Sequence, residues 1–235
     1  DQGTTSSRAV VFNHDGTVFD FEQKEFTQFF PHDGWVEHDP EEIWSSVVST
    51  TQSVLKKHDL SASDIGSIGI TNQRETTIVW DRETGKSLYP AIVWQDRRTA
   101  KFCSDLSDES LKKSIQRKTG LLLDPYFSAT KLAWILENVD GAREKAESGK
   151  ILFGTVDSYL LWKLTKGSVH KTDATNASRT MLFNIHENKW DEDLLRLFGI
   201  PRQMLPEVCD NVHAYGTTSL FGGPISIGGI AGDQQ

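Results

Sequence analysis

The chain has 235 residues, of which 37% are hydrophobic and 25% are charged, so a packed globular domain is possible and wholesale disorder is excluded. The net charge of −8 argues against partners such as nucleic acid or anionic membranes, which require clustered cations. Cys103 and Cys209 lie far apart without metal-ligand spacing. With no apolar stretch of membrane-spanning length and no signal peptide, we expect a cytoplasmic protein that binds neither nucleic acid nor membrane.

The first predicted elements are a β-hairpin and a long helix. Arg8–Asn13 and Thr17–Phe26 are rich in β-formers, and a His-Asp-Gly turn separates them. Asp39 is a good N-cap and Pro40 suits the first helical position. Apolar residues then recur at helical spacing as far as Leu55, which predicts a helix of several turns.

The middle of the chain alternates short apolar runs with helical patterns. Short strands are predicted at Ile68–Ile70, Thr76–Trp80, Ala91–Trp94 and Ile151–Phe153. Helices are predicted from Arg97 to about Lys118, over Lys131–Asn138 and over Asp157–Leu164.

Towards the end, a β element is predicted at Arg179–Ile185 and a short helix from Asp191 to Gly199. A glycine-spaced apolar strand follows at Ile225–Ile230. The alternation of strands and helices indicates an α/β domain with a mixed sheet flanked by helices, which includes an inserted helical portion.

The opening segment Asp1–Arg8 has the composition of a phosphate site. An acid can hold a divalent cation, Gly3 lets backbone amides approach an anion, and hydroxyls and Arg8 supply donors. A polar, frayed terminus explains the same residues equally well.

Three further polar or aromatic groups follow predicted strands, where ligand sites of open α/β sheets usually lie. Arg74 and Glu75 together could donate to and accept from vicinal hydroxyls of a polyol, although a lone pair of this kind is usually a surface ion pair. Trp94 and Tyr126 could pack on the C–H surface of a polyol, although most such residues are packing elements.

The last group is the segment Gly232–Gln235. Asp233 follows an apolar strand and could accept a hydroxyl proton during phosphoryl transfer, although a turn aspartate is the simpler interpretation of this residue alone. The sequence contains no Walker loop, no helical histidine metal motif and no serine nucleophile elbow.

Taken together, these segments resemble the glycerol kinases, a family of sugar kinases built on the actin/hexokinase-type ATPase fold. The resemblance covers nearly the whole chain and rests on motifs in a fixed order: Asp1–Arg8, Gly34–Pro40, Ile70–Trp80, Trp94-Gln95, Asp124–Lys131, Gly154–Asp157, Asn176–Phe183 and Gly232–Gln235. It implies a ribonuclease H-like domain and ATP-dependent phosphorylation of a terminal hydroxyl of glycerol.

The resemblance also implies roles for individual residues. The residues that match the glycerol pocket are Arg74, Glu75, Trp94, Tyr126, Asp233 and Gln234. Asp233 matches the general base, and Asp1 matches the carboxylate that organises Mg²⁺. The residues that match the phosphate-contacting hairpin are Thr4, Thr5, Ser6 and Arg8.

Two departures from the family pattern set further expectations. In the family an apolar central strand precedes the opening aspartate, and a second domain with the nucleotide pocket follows the Gly-Asp-Gln-Gln motif. We therefore expect residues 1–235 to be an N-terminal domain truncated at both ends, with unpaired backbone groups in its sheet and no activity on its own. The alternatives are a non-catalytic polyol-binding fragment, or a kinase for another polyol or a pentulose.

Regulation and assembly are less defined. The family forms dimers and tetramers, so the resemblance implies a homo-oligomer of the full-length protein. The stretch Ser219–Pro224, which matches the family's regulatory loop, has neither the arginine nor the histidine used there. We therefore expect neither sugar-bisphosphate control nor control by histidine phosphorylation.

Overall fold

The structure is a computed structural model that describes residues 1–106 and 108–235, and it contains an α/β fold. The strands are β1 (Ser6–Phe12), β2 (Val18–Glu25), β3 (Glu37–His38), β4 (Ile68–Asn72), β5 (Ile78–Asp81), β6 (Ala91–Ile92), β7 (Ile151–Gly154), β8 (Lys171–Asp173), β9 (Phe183–Asn184), β10 (Lys189–Trp190), β11 (Glu207–Cys209), β12 (Val212–Thr218) and β13 (Ile225–Gly232). The helices are α1 (Pro40–Lys57), α2 (Ala100–Asp105), α3 (Glu109–Thr119), α4 (Ser128–Asn138), α5 (Ala142–Glu147), α6 (Val156–Leu164), α7 (Ala174–Ala177) and α8 (Glu192–Phe198).

The main sheet is mixed, as the sequence predicts. β13 pairs in parallel with β4 and antiparallel with β12, while β1 and β2 form the predicted antiparallel hairpin. Gln2 joins the two parts, because it bridges Ser7 of β1 in antiparallel fashion and Asn72 of β4 in parallel fashion. The carboxyl ends of β4 and β13 therefore lie at one edge, with the segment after Gln2 beside them.

Helices α1 and α6 pack side by side against this sheet. Asp39 caps α1 as predicted, since its carboxylate accepts the backbone N–H of Glu41. The two helices are tied together because the Tyr159 hydroxyl donates to Glu41 at 2.8 Å. Apolar side chains from α1, α6 and the sheet form one core cluster, and a second cluster surrounds α4 and α8. Within the described residues, no helix is both long and apolar enough to cross a membrane.

Two local predictions from the sequence were wrong, and strand β12 was missed. The charged stretch after Arg97 forms two helices, because Asp108 caps α3 as a new helix by accepting the N–H groups of Ser110 and Leu111. The β element predicted from Arg179 begins only at Phe183. Strand β12 was not predicted, and its register shifts before Gly216, whose φ of 144° interrupts the alternating pattern.

The facing edges of β1 and β4 line a cavity of about 830 Å³. Gln2 bridges the two strands at one end of this cavity, through Ser7 and Asn72. Apolar side chains of the flanking helices also line this cavity, and they are Val47, Val54, Leu160 and Leu164. Two strand edges with an apolar lining have the shape of a slot for one more strand.

A short apolar strand joined to the nitrogen of Asp1 should fill this slot, parallel to β4 and antiparallel to β1. A six-residue Val/Ile extension should raise the free energy of unfolding by an amount on the order of 2 kcal/mol, because each buried side chain contributes about 1.5–3 kcal/mol and ordering each backbone unit costs about 1–2 kcal/mol. Urea denaturation would compare the free energy of unfolding of this extended chain with that of a chain that carries a Gly/Ser extension of the same length. Equal stabilities of the two extended chains would show that the slot does not accept a strand.

Gly154 ends β7 where a side chain has no room. A Cβ atom there would lie 2.5 Å from Ser158 Cβ and 2.9 Å from Trp80 Cη2. We expect Gly154→Ala to lower the free energy of unfolding by about 1–3 kcal/mol through overpacking. Gly66→Ala is the matched control, since nothing lies within 4 Å of its Cβ position, and it should change stability by less than about 0.5 kcal/mol. Similar effects of both substitutions in urea denaturation would contradict this packing analysis.

Candidate active site

Three polar loops begin side by side at one edge of the main sheet. The backbone N–H of Gln73 donates to Gln2 at 2.7 Å, and that of Asp233 donates to Asn72 at 3.1 Å. The loops that follow Gln2, β4 and β13 therefore start as neighbours, at the strand ends where open α/β sheets bind ligands. This brings the predicted residues Arg74, Glu75 and Asp233 together with the opening loop.

Arg74 and Asp233 form an ion pair across this edge. Arg74 Nε lies 3.2 Å from Asp233 Oδ1, and Arg74 Nη1 donates to Gln235 Oε1 at 3.3 Å. The N–H of the buried Nε atom is not directed at an acceptor, so this atom makes no hydrogen bond within the described residues. Gly232 lets Arg74 lie close to the chain, because a Cβ there would be 2.5 Å from Arg74 Cδ. Gln234 lies in the same exposed turn.

Glu75 presents a buried carboxylate beside this pair. Its residue is 2% exposed and its backbone has a φ of 64°, in the left-handed region. Glu75 Oε1 accepts a hydrogen bond from Arg179 Nε at 2.6 Å. Burial raises the pKa of Glu75, while Arg179 opposes this change by favouring the ionised form. Arg179 was missed as a site residue, and its only sequence signal was its place in the Asn176–Phe183 motif.

Trp94 and Tyr126 pack against each other and form an aromatic wall. Their ring centroids are 5.4 Å apart with an interplanar angle of 59°. Trp94 Nε1 donates to Thr4 Oγ1 at 2.9 Å, which connects the wall to the opening loop. Burial and the nearby Glu75 raise the pKa of Tyr126, so its hydroxyl stays protonated at neutral pH.

Lys131 fixes the backbone that carries Tyr126. Its ammonium donates to the carbonyls of Pro125 and Tyr126 at 2.5 and 2.6 Å, and to that of Phe127 at 3.3 Å. The side chain is fully buried, and burial lowers the pKa of Lys131 to about 7. The role of Lys131 was also missed, although its fixed offset from Tyr126 was part of the resemblance.

The opening loop is ordered but only partly in contact with this site. Gly3 N–H donates to Ser6 at 2.9 Å and closes the turn, which leaves Thr5 exposed. Arg8 donates to Gln23 Oε1 at 3.0 and 3.1 Å, and Gln23 donates to Ser6 Oγ at 3.0 Å. Within the described chain, Thr5, Ser6 and Arg8 make no side-chain hydrogen bond to the predicted glycerol-pocket residues, whereas Thr4 does.

Asp1 is the acid of this loop, with its Oδ2 3.8 Å from Arg8 Nη1. No cluster of three or more His, Cys, Asp or Glu side chains suitable for a metal ion occurs in residues 1–106 and 108–235. Mg²⁺ usually keeps several waters and binds through one or two carboxylates plus substrate phosphates. The residues present fit that mode of binding, with Asp1 as the carboxylate.

A buried polar network supports the strand ends from below. Asn72 and Asn176 exchange side-chain hydrogen bonds of 3.0 and 3.2 Å, and the N–H of Gly232 donates to Thr175 Oγ1 at 2.8 Å. Asp157 lies deeper, where burial and the neighbouring Asp173 raise its pKa to about 7. This network fixes the backbone of Gly232, directly before Asp233, through the half-buried Thr175 and the fully buried Asn72 and Asn176.

Known proteins are similar to this chain over its whole length. The model of the FGGY family of carbohydrate kinases, N-terminal domain, matches residues 1–235. The chain is 61% identical over 237 aligned residues to a glycerol kinase of Bradyrhizobium sp. (strain ORS 278), which covers 100% of this chain and 47% of that protein. It is 62% identical over 238 aligned residues to a glycerol kinase of Alteromonas mediterranea, again with 100% of this chain covered and 48% of the relative. The chain thus spans about half the length of the curated relatives it matches.

Solved structures agree with the sequence relatives. The glycerol kinase of Plasmodium falciparum with ADP superposes with a TM-score of 0.94 at 35% identity, over 99% of this chain and 47% of that chain. A xylulose kinase of Lactobacillus acidophilus superposes with a TM-score of 0.88 at 22% identity, over 99% of this chain and 47% of that chain, which supports the fold alone. The family model and the relatives together show that this chain belongs to the FGGY family of carbohydrate kinases, whose N-terminal domain it matches from end to end.

Proposed function

We propose that this chain is the polyol-binding domain of an ATP-dependent kinase that phosphorylates glycerol to sn-glycerol 3-phosphate. The observation that carries the proposal is the pairing of two ionic groups at one sheet edge, Arg74 with Asp233 and Glu75 with Arg179. Together they offer donors, acceptors and a carboxylate base within the reach of one small polyol.

Different residues of the pocket would contact the hydroxyls of glycerol and its carbon chain. Arg74 would donate to hydroxyl oxygens, and Glu75 would accept hydroxyl protons. The face of Trp94 would pack on the C–H surface, with Tyr126 closing the wall and Gln234 offering an amide. Glycerol presents a hydroxyl on every carbon, so a site built from ionic donors and acceptors rejects molecules that leave one unpaired.

Asp233 would act as the general base. Its carboxylate accepts the proton of the terminal hydroxyl as that oxygen forms a bond to the γ-phosphorus of ATP, and the bond to the bridging oxygen breaks to release ADP. The Asp233 side chain is 36% exposed, so it is accessible to a substrate in the cleft. The hydrogen bond from its backbone N–H to the Asn72 carbonyl holds the backbone that carries this carboxylate.

The opening hairpin would contact the phosphates. Thr4, Thr5, Ser6 and Arg8 supply hydroxyl and guanidinium donors on a turn that Gly3 closes. Mg²⁺, held through Asp1 and water, would neutralise charge on the phosphates when bound. The adenine pocket lies outside these 235 residues in this proposal, and we therefore expect the isolated chain to bind glycerol without turning it over.

Glycerol is favoured over a pentulose or another polyol because the relatives that match at about 60% identity are glycerol kinases, while the xylulose kinase is only 22% identical. A purely non-catalytic polyol-binding site needs no proton acceptor at Asp233, whose carboxylate would then serve only its ion pair with Arg74. A carboxylate base beside the polar groups of Arg74 and Glu75 therefore supports a kinase.

We also propose a cellular compartment and an oligomeric state for the enzyme. Both cysteines are free thiols, which suits the reducing cytoplasm. For the full-length enzyme we expect a dimer or tetramer.

Binding of glycerol to the chain itself is the first expected outcome. Isothermal titration should give glycerol an affinity at least about 100-fold higher than propane-1,2-diol or propane-1,3-diol, because each diol leaves a buried polar group of the site unpaired. Glu75→Gln should weaken glycerol binding, whereas Glu137→Gln, at an exposed position of α4, should leave it unchanged. Equal affinities for glycerol and the diols would contradict the proposed substrate.

Loss of the base tests the chemistry. In the full-length enzyme Asp233→Asn should lower kcat by at least about 100-fold, since a positioned general base typically contributes a factor of that order or more. Glycerol binding should persist, because the amide still fits the site. Asp140→Asn, an exposed control, should keep the wild-type kcat. Wild-type turnover by the Asp233 variant would refute the assignment of Asp233.

A further inference from the structure

Arg179 contacts the one carboxylate of the site that is buried. Arg179 Nε donates to Glu75 Oε1 at 2.6 Å, and the side chain of Arg179 is 25% exposed while that of Glu75 is 2% exposed. Among the described residues no hydrogen bond reaches the second oxygen of Glu75, Oε2. One carboxylate oxygen is thus fixed by the protein, and the other is free to accept a ligand hydroxyl.

Other charged groups near Glu75 are committed elsewhere. Arg74 and Lys131 both favour its ionised form through space, but Arg74 bonds to Gln235 and pairs with Asp233. Lys131 donates to three backbone carbonyls. The Tyr126 hydroxyl stays protonated and neutral, so it does not repel the Glu75 carboxylate. Arg179 is therefore the cation that bonds directly to Glu75.

The backbone and two aromatic rings hold Arg179 in this position. It follows α7, where its N–H donates to Asn176 at 3.0 Å. Its guanidinium carbon lies 5.0 Å from the ring centroid of Phe127 and 5.8 Å from that of Tyr126. A guanidinium stacked in this way is fixed in the free protein, so it loses little freedom when it aligns a carboxylate.

We propose that Arg179 is a positioning residue of the polyol site, which keeps the Glu75 carboxylate ionised and turned so that Oε2 accepts a substrate hydroxyl. The proposal rests on the proposed polyol function. It assigns specificity for hydroxyl donors to an ion pair formed between two separate motifs, the loop after β4 and the segment after α7. Without Arg179, a buried carboxyl next to a non-polar wall would take up a proton more readily and become a poorer acceptor.

The test compares Arg179→Gln and Arg179→Lys with the wild-type chain. The exposed Arg196, which pairs with Asp193 on α8, supplies the control Arg196→Gln. Glycerol affinity would be measured by isothermal titration from about pH 5.5 to about pH 8.5. Arg179→Gln should bind about 10-fold more weakly at the upper end, as expected for a charge-assisted hydrogen bond, and progressively more weakly as the pH falls. Arg179→Lys should recover part of the pH tolerance because it keeps the positive charge.

A second measurement does not depend on glycerol. Carboxyl carbon NMR of Glu75 should give a pKa higher by about one to three in Arg179→Gln than in the wild-type chain, and an unaltered pKa in Arg196→Gln. An unchanged Glu75 pKa in Arg179→Gln would overturn the role of Arg179, whether or not glycerol binds. If the Glu75 pKa rises but the wild-type chain binds no glycerol, the ion pair has the proposed electrostatic effect and the proposed function fails instead.

Discussion

The site depends above all on the parallel register of Gln2, β4 and β13. Parallel neighbours end at the same edge of a sheet, so the three loops that follow them meet without any long connection. This register brings Asp233, from the end of the chain, to within an ion-pair distance of Arg74, 159 residues earlier. A shift by one residue would turn these side chains to the other face of the sheet and separate them.

Buried charge is the second constraint on this domain. Glu75, Lys131 and Asp157 are all withdrawn from water, and each is compensated differently: by a guanidinium, by three carbonyls, and by hydroxyls of Thr155 and Thr172. A buried charge without such partners costs several kcal/mol, so these contacts are needed to keep the three side chains inside the domain.

Sequence reasoning predicted the fold class, the hairpin, α1 and most other elements, because Asp39, Pro40 and the Asp191 and Gly199 caps are strong local signals. Through the resemblance it also assigned a glycerol pocket, which stays a prediction, to Arg74, Glu75, Trp94, Tyr126, Asp233 and Gln234. It missed Arg179 and Gln23, which contact Glu75 and Arg8 at 104 and 15 positions along the chain, respectively. Single-sequence patterns carry no information on such pairs, nor on the irregular register of β12.

The central claim is that Arg74, Glu75 and Asp233 form one polyol site. A crystal structure of the chain with glycerol tests it most directly. The account predicts one glycerol molecule whose hydroxyls contact the Arg74 guanidinium, Glu75 Oε2 and the Asp233 carboxylate, with its carbon chain against Trp94. Glycerol bound elsewhere, or a cleft in which these three side chains keep their mutual contacts and exclude it, would contradict the account.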